Sequence, residues 1–369
     1  MSERDPVLEG ERIMTICNAC RYCEGYCAVF PAMERRLEFT AGDMNYLANL
    51  CHDCGECYYA CQYAPPHEFD VNVPRTLAEI RVRSYRRYAW PAPLAALFDG
   101  NALAAAIVLA LSLVLWLAAG AALGGATGTG APGDFYRIVP HGIMAGSFGA
   151  IAVFVAVALL VGFVRFWRDS KEGLREFARP FALWSAAKDV LRLEYLHGNG
   201  EGCTYPGEHR SQARRRLHHF TFYGFALCFA ATVVGTIYHY LLGWKAPYGY
   251  ASLPVVLGTL GGAGLLAGPA GLLWLKLRRD PATGDPGQLG MDSAFIALLF
   301  ATSLTGLLLL ALRETQALGA LLLVHLGVVM ALFLTLPYGK FVHAVYRSAA
   351  LVRYALEKPR PPPNVNLDV

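Results

Sequence analysis

Polar and apolar positions are distributed very unevenly along the chain. Residues 1–93 are largely polar, and from Leu94 long apolar runs take over. Six of these runs are about 20 residues or longer, enough for a helix to cross a bilayer. They lie at roughly 95–120, 141–164, 218–242, 252–275, 293–312 and 319–345. The glycine-rich stretch Gly120 to Gly133 separates the first two, and a polar, arginine-rich run from Arg165 to Arg216 separates the second and third. Within that run, Pro180 to Leu196 has the pattern of an amphipathic helix, either lying on the membrane surface or packed as an ordinary loop helix. Gly198 to Arg216, GNGEGCTYPGEHRSQARRR, reads as a solvated basic loop, with a docking or quinone-side role as the alternative. Pro337 is expected to kink the sixth span just before His343.

Composition agrees with this pattern. The 369 residues are 55% hydrophobic and only 16% charged, with a mean hydropathy of +0.36, a balance normal for membrane proteins. The net charge of +4 says less than its placement. One set of connections carries Arg165, Arg168, Lys171, Arg214, Arg215, Arg216, Lys276, Arg278 and Arg279, with Arg347 and Arg353 after the last span. The opposite set carries only Arg137, Lys245 and Arg313. The positive-inside rule makes the first set cytoplasmic. Six spans then put both termini in the cytoplasm, in a multi-pass protein of a bacterial-type inner (cell) membrane. The segment Met1 to Arg12 is charged and lacks the apolar stretch of a signal peptide, so the cysteines that follow are expected in a reducing compartment, where clustered thiols favour metal over disulfide.

Eight of the ten cysteines form two runs, Cys17-x2-Cys20-x2-Cys23-x3-Cys27 and Cys51-x2-Cys54-x2-Cys57-x3-Cys61. This is the two-cluster ferredoxin spacing: three sulfurs curl round one cluster and the fourth ligates the other. Cys17, Cys20, Cys23 and Cys61 are expected to hold one [4Fe-4S] cluster, and Cys51, Cys54, Cys57 and Cys27 the second. Zinc sites usually use two separated Cys-x2-Cys pairs, so a 2-2-3 spacing occurring twice fits zinc poorly. Ala28 and Gln62 stand where a proline commonly follows the fourth cysteine, while Pro31 and Pro65 come four residues after it. His52 and His67, beside the runs, are read as structural, and Cys228 as a packing residue.

Histidine inside a membrane span is costly and points to function. His218 or His219 opens the third span, His239 lies near its end, and His325 and His343 lie on the expected sixth span. Eighteen residues separate His325 from His343, five whole turns and roughly 27 Å, so both share one face near opposite membrane surfaces. His218 fits the face of His239 better than His219 does. Antiparallel spans match His239 with His325 on the outer side, and His218 or His219 with His343 on the inner side. Two imidazoles flanking one iron is the simplest arrangement for haem b in a helix bundle, one or two per chain. His141, at the outer end of the second span, is an alternative to His239 or His325.

The expected fold is therefore mainly α: a two-cluster ferredoxin-like cytoplasmic domain over 1–93, a six-helix transmembrane bundle over 94–350 with the connection 165–216, and a cytoplasmic tail over 351–369. No Gly-x-Gly-x-x-Gly opens a strand–helix unit, so a flavin or nicotinamide site is expected elsewhere. No nucleophile triad or Walker loop is visible, and the basic loops follow membrane topology rather than arguing for nucleic acid.

The stretches YCEGYCAVFPAMERR, CHDCGECYYACQYAPPHEF, GCTYPGE, RRRLHHFTFYGF and LPYGKFVH together resemble the tricarballylate-utilisation protein B (TcuB, or CitB) family over nearly the whole chain. The membrane half is more loosely similar to the haem b subunit of respiratory nitrate reductases. The resemblance implies an electron-transfer subunit of a quinone-reducing oxidoreductase system. Its partner would be an FAD-dependent dehydrogenase of the tricarballylate type, and its acceptor the membrane quinone pool. A related fused protein serves oxygen-dependent ring contraction in cobalamin synthesis, so a redox or oxygen-handling role in corrin chemistry is the alternative. Metal content and a reduced absorbance spectrum, with and without carbon monoxide, discriminate between an electron carrier, an open haem enzyme and a zinc scaffold.

Overall fold

The structure, a computed structural model, describes residues 5–98, 102–123, 134–198 and 200–360. Residues 124–133 of the glycine-rich stretch and 361–369 of the expected tail lie outside the described residues.

The cysteine-bearing region is helical. It contains α1 (Pro6–Cys20), α2 (Val29–Met33), α3 (Ala41–Leu50), α4 (Glu56–Tyr59) and α5 (Val73–Tyr88). Local chemistry starts each long helix. Asp5 caps α1 with Pro6 at its first turn, Thr40 and Asp43 form a reciprocal capping box on α3, and Asn72 caps α5. Ile13, Met14, Tyr46, Leu47, Leu77 and Ile80 form the core between α1, α3 and α5. Three short helices follow: α6 (Ala92–Leu97), α8 (Phe135–Ile138) beyond the first span, and α10 (Leu174–Phe177) beyond the second.

Among the described residues, six helices are long and apolar enough to cross a membrane: α7 (Ala102–Ala122), α9 (His141–Asp169), α12 (Ala213–Tyr240), α13 (Leu253–Leu277), α14 (Pro286–Leu312) and α15 (Leu318–Thr335). Their outward faces carry residues such as Leu111, Val153, Leu160 and Leu260. Only α15 is mainly enclosed, packed among α7, α9 and α14. The first span starts later than expected, because α6 ends at Leu97 before it begins. Along α12 and α13, glycines bring two backbones together: a Cβ on Gly261 would stand 2.7 Å from Gly224 O and 2.8 Å from Cys228 Sγ. Small residues allow such close approach between membrane helices, and half-buried Cys228 packs in this seam.

The sixth span needs correction. It was expected to run to 345 with a kink, but α15 stops at Thr335 and a new helix, α16 (Val342–Glu357), follows. Pro337 has no N–H and disfavours a helical residue before it. The chain turns there instead, Tyr338 and Gly339 N–H both donating to Thr335 O at 3.2 and 2.8 Å. His325 and His343 therefore sit on different helices. α16 runs past the expected boundary at 350, and its residues 349–357 are buried against the cysteine domain and α11 (Pro180–Arg192). On α11 the small Ala182 and Ala186 face inward, while Phe181, Trp184 and Leu191 are exposed. That is the distribution of a packed helix whose other face suits an apolar surface.

The stretch from Gly200 to Arg216 is only in part a solvated loop: Glu201, Glu208, His209 and Arg210 are exposed, but a hairpin with a buried first strand interrupts it. Cys203–Thr204 (β1) pairs antiparallel with Arg210–Ser211 (β2), and Cys203, Thr204 and Tyr205 are buried. A 3-10 turn, Glu194–Leu196, precedes this hairpin.

Candidate metal centres

Local backbone aims the two cysteine runs at each other. Cys17 and Cys20 lie on the last turn of α1, which ends at Arg21 in the left-handed conformation. Cys51 caps α3, and Asp53 and Gly55 take positive φ before α4 carries Cys57. Gly55 is required, since a Cβ there would meet Thr204 O of the hairpin at 2.7 Å.

Two cavities sort the eight cysteines. The first, of about 270 Å³, is lined by Cys17, Cys20, Cys23 and Cys61, and Cys57 lines it as well as the second. The second, of only about 20 Å³, is lined by Cys27, Cys51, Cys54 and Cys57. The fourth cysteine of each run thus faces the other run's set. Among the described residues no group of three or more His, Cys, Asp or Glu is arranged to hold a single metal ion. The sulfurs ring a volume instead, which suits a multi-atom cluster better than one ion. The first cavity has that volume. The second has room for about one water, so its side chains must part to admit a cluster. Burial, then the neighbouring cysteines, push the Cys17 and Cys23 thiols up to about 12. Thiols packed this way ionise only when cations share the space.

The second set is wrapped in charge. Arg279 donates to both oxygens of Asp53, at 2.6 and 2.7 Å. Burial alone would raise the Asp53 carboxyl, but Arg279, Arg81 and Arg214 hold it well below the usual carboxylate range. Arg214 Nη1 donates to Asp53 O at 2.9 Å. Arg347 donates to Cys51 O at 2.5 Å and Asn49 O at 3.3 Å. The ring of Tyr205 lies under Arg214 at 4.6 Å and Arg279 at 5.4 Å. Burial, then Arg347, keeps His52 neutral, its ring 5.7 Å from that of Tyr195, in keeping with a structural role. In the sequence Arg214, Arg279 and Arg347 mark only the basic connections, while Arg81, mid-way along α5, and Asp53 carry no visible signal.

The candidate haem histidines fall into four settings. His218 and His343 come together, ring centroids 6.2 Å apart and planes at 77°. Metal–imidazole bonds are about 2.0–2.1 Å, so two imidazoles opposed across one metal have centroids roughly 6 Å apart. His343 Nδ1 hydrogen-bonds Lys340 O at 2.6 Å, which leaves its Nε2 free. Burial, then Arg347 and Lys340, holds His343 neutral, the form a ligand needs. His218 Nδ1 is buried with no partner. His219 instead stacks on Tyr223 at 5.8 Å.

On the outer side the expected pairing of His239 with His325 does not form. His239 stacks on His141, centroids 4.0 Å apart and planes at 12°, beside Tyr136 and Tyr240. His325 Nδ1 hydrogen-bonds Thr305 Oγ1 on α14 at 2.9 Å. The cause is helix rotation: α15 turns His325 towards α14, where Gly306 leaves room for its ring.

A buried ion triad lies nearby. Asp292 on α14 meets Lys276 at 2.6 Å and Lys340 at 2.8 Å. Sequence reading passed it over because its three members are far apart in the chain.

Fold and cysteine geometry together define a multi-pass membrane protein with an N-terminal ferredoxin-type cysteine domain. A family profile described as "Citrate utilization protein B" matches residues 92–364, and one described as "Citrate utilization protein B Fer4-like domain" matches residues 10–87. The chain is 54% identical over 359 residues to the Citrate utilization protein B of Escherichia coli, covering 96% of this chain and 94% of that protein. No solved structure matches it. The chain belongs to the citrate utilization protein B family.

Proposed function

We propose that this chain is a membrane electron carrier, taking electrons from the reduced flavin of a partner dehydrogenase and delivering them to membrane quinone. The single observation that carries the reading is the crossed partition of the cysteines, with Cys61 among Cys17, Cys20 and Cys23, and Cys27 among Cys51, Cys54 and Cys57. Each set would hold one [4Fe-4S] cluster, and His218 with His343 would hold haem b. When bound, these groups supply one-electron transfer.

The chain's own residues do the rest. The core of α1, α3 and α5 fixes the two runs against each other. Arg214 and Arg347 tie the second run to the helices carrying His218 and His343. Lys340 orients the His343 imidazole through its carbonyl. The cysteine domain meets the membrane helices on the side of Arg165, Arg214, Arg279 and Arg347, which by the positive-inside rule is the cytoplasm. The partner would oxidise a carboxylic acid of the citrate or tricarballylate type, in keeping with the family description.

The test is metal analysis and an absorbance spectrum of anaerobically purified protein. Expected are about eight non-haem irons per chain, from two four-iron clusters, and a b-type spectrum that carbon monoxide leaves unchanged. Zinc in place of iron, or a haem that binds the gas, would overturn the reading.

A further inference from the structure

Two arginines occupy matching positions around the inner histidines. Arg214 stands four residues before His218 on α12, and Arg347 four residues after His343 on α16. Four residues are about one helical turn, so each arginine shares its histidine's face. Both reach one loop of the cysteine domain: Arg214 bonds Asp53 O at 2.9 Å, and Arg347 bonds Cys51 O at 2.5 Å. The pair therefore spans the gap between the second cysteine set and the His218–His343 pair.

These contacts leave much positive charge unmatched. Among the described residues, no carboxylate stands within ion-pair distance of Arg214 or Arg347. Asp53, the acid of that loop, is already held by Arg279 at 2.6 Å, with Arg81 at 4.0 Å. Arg81 is 1% exposed, and its Nη2 has no hydrogen-bond partner. Asp53 is thus already taken by Arg81 and Arg279, on which Asp292 also acts, and Arg214 and Arg347 add two more guanidinium groups beside it. Burying charge without a counter-charge is strongly unfavourable. The site makes physical sense when anionic groups share it.

We propose that Arg214 and Arg347 form a cationic bridge that compensates the negative charge of an iron–sulfur cluster on Cys27, Cys51, Cys54 and Cys57 and of the carboxylates of a haem between His218 and His343, raising both reduction potentials. This rests on the metal reading above. A nearby positive charge favours the state with one more electron, and cluster potentials follow local charge. Arg214 and Arg347 bond the loop of the second set, at Asp53 and Cys51, and no cysteine of the first, so a cluster in the first cavity serves as an internal control. Arg214 and Arg347 are positioning residues in this scheme, since they act on the two centres through charge and through the loop they hold.

The experiment is a redox titration of the full chain in lipid nanodiscs, following clusters by electron paramagnetic resonance and haem by visible absorbance. Cys20→Ser and Cys54→Ser assign the cluster signals. In Arg214→Gln and Arg347→Gln the second cluster and the haem are expected to shift to more negative potential, further in the double variant, while the first cluster stays put. Arg214→Lys and Arg347→Lys should shift less. Unmoved potentials with metal retained would overturn the proposal, as would an equal shift of all three centres. Should the glutamine variants lose metal, the lysine variants decide: near-wild-type potentials support the charge role, and metal loss there too refutes it. A wild-type protein without cluster or haem signals would instead overturn the metal reading itself.

Discussion

The imidazoles of His141 and His239 lie stacked, 4.0 Å between centroids and 12° between planes. Stacked rings present faces to each other, whereas two ligands of one iron must point nitrogen lone pairs at a common centre. The inner pair, His218 and His343, has the wider separation that opposed ligands need. The two ends of the bundle therefore differ, although each brings two histidines together.

On the proposed reading, this difference favours a single haem. One haem per chain is expected from a pyridine haemochrome assay. It should vanish in His218→Ala or His343→Ala and survive in His141→Ala, His239→Ala and His325→Ala. Two haems per chain, or haem loss in the outer variants, would show that the outer pair opens to ligate.

The crossed cysteines make an unusual demand on mutants. Cys27→Ser should perturb the same paramagnetic signal as Cys54→Ser, although Cys27 belongs to the first run. Cys61→Ser should match Cys20→Ser. Perturbation that follows sequence runs instead would mean each run holds its own cluster.

The seam between α12 and α13 tolerates no side chain at Gly261, where backbone and Cys228 Sγ leave under 3.0 Å for a Cβ. Gly261→Val should push α12 outward and move both His218 and His239. Haem content is expected to fall while non-haem iron stays near wild type, read by paired haem and iron assays. Loss of both together would refute a local effect.

Glu357 closes a buried ion network, far along the segment expected as a tail. Its carboxylate accepts from Arg36 at 2.5 Å, Arg353 at 3.0 Å and the Tyr46 hydroxyl at 3.0 Å. Glu357→Ala leaves two buried guanidinium groups short of a counter-charge, a loss of about 3–5 kcal/mol by the precedent of broken buried pairs. The chain should become sensitive to protease between α15 and α16 at temperatures where wild type resists. Resistance equal to wild type would mean α16 does not anchor the cysteine domain.

Asp43 joins this network, accepting from Arg36 at 2.8 Å and Arg353 at 3.1 Å. Burial opposes its ionisation, yet Arg36, Thr40 and Arg353 hold its pKa down to about 2. An unfolded aspartate titrates near about 3.9. The folded value is the lower one, so the stabilisation is complete above about pH 4 and disappears as pH falls through about 2. Partial solvent screening limits it to about 1 kcal/mol. The melting temperature of Asp43→Asn should trail wild type at pH 6, with the gap narrowing below about pH 4 and closing only below about pH 2. A gap constant with pH would place the effect elsewhere.

Much of the molecule is written in local pattern. A span announces itself by some twenty apolar residues, and α7, α9, α12, α13 and α14 overlap the runs that sequence marks. The 2-2-3 cysteine spacing is equally local, because a tight turn brings three sulfurs together without help from the rest of the chain. Charge placement among the connections is also a sequence property, and the basic connections do face the cysteine domain.

What sequence could not settle depends on where helices end and how they rotate. Pro337 could kink or break; the turn at Thr335 broke the helix and moved His343 onto α16. His218 and His219 are neighbours, and only the packing of α12 decides that one meets His343 while the other meets Tyr223. The burial of the Cys203 hairpin and the gathering of Arg81, Arg214, Arg279 and Arg347 about Asp53 bring together residues up to 294 positions apart in the chain. Spacing and hydropathy are sums over neighbours, so they survive in one dimension. Facing, burial and unmatched charge are relations between distant segments, and they exist only once the chain has folded.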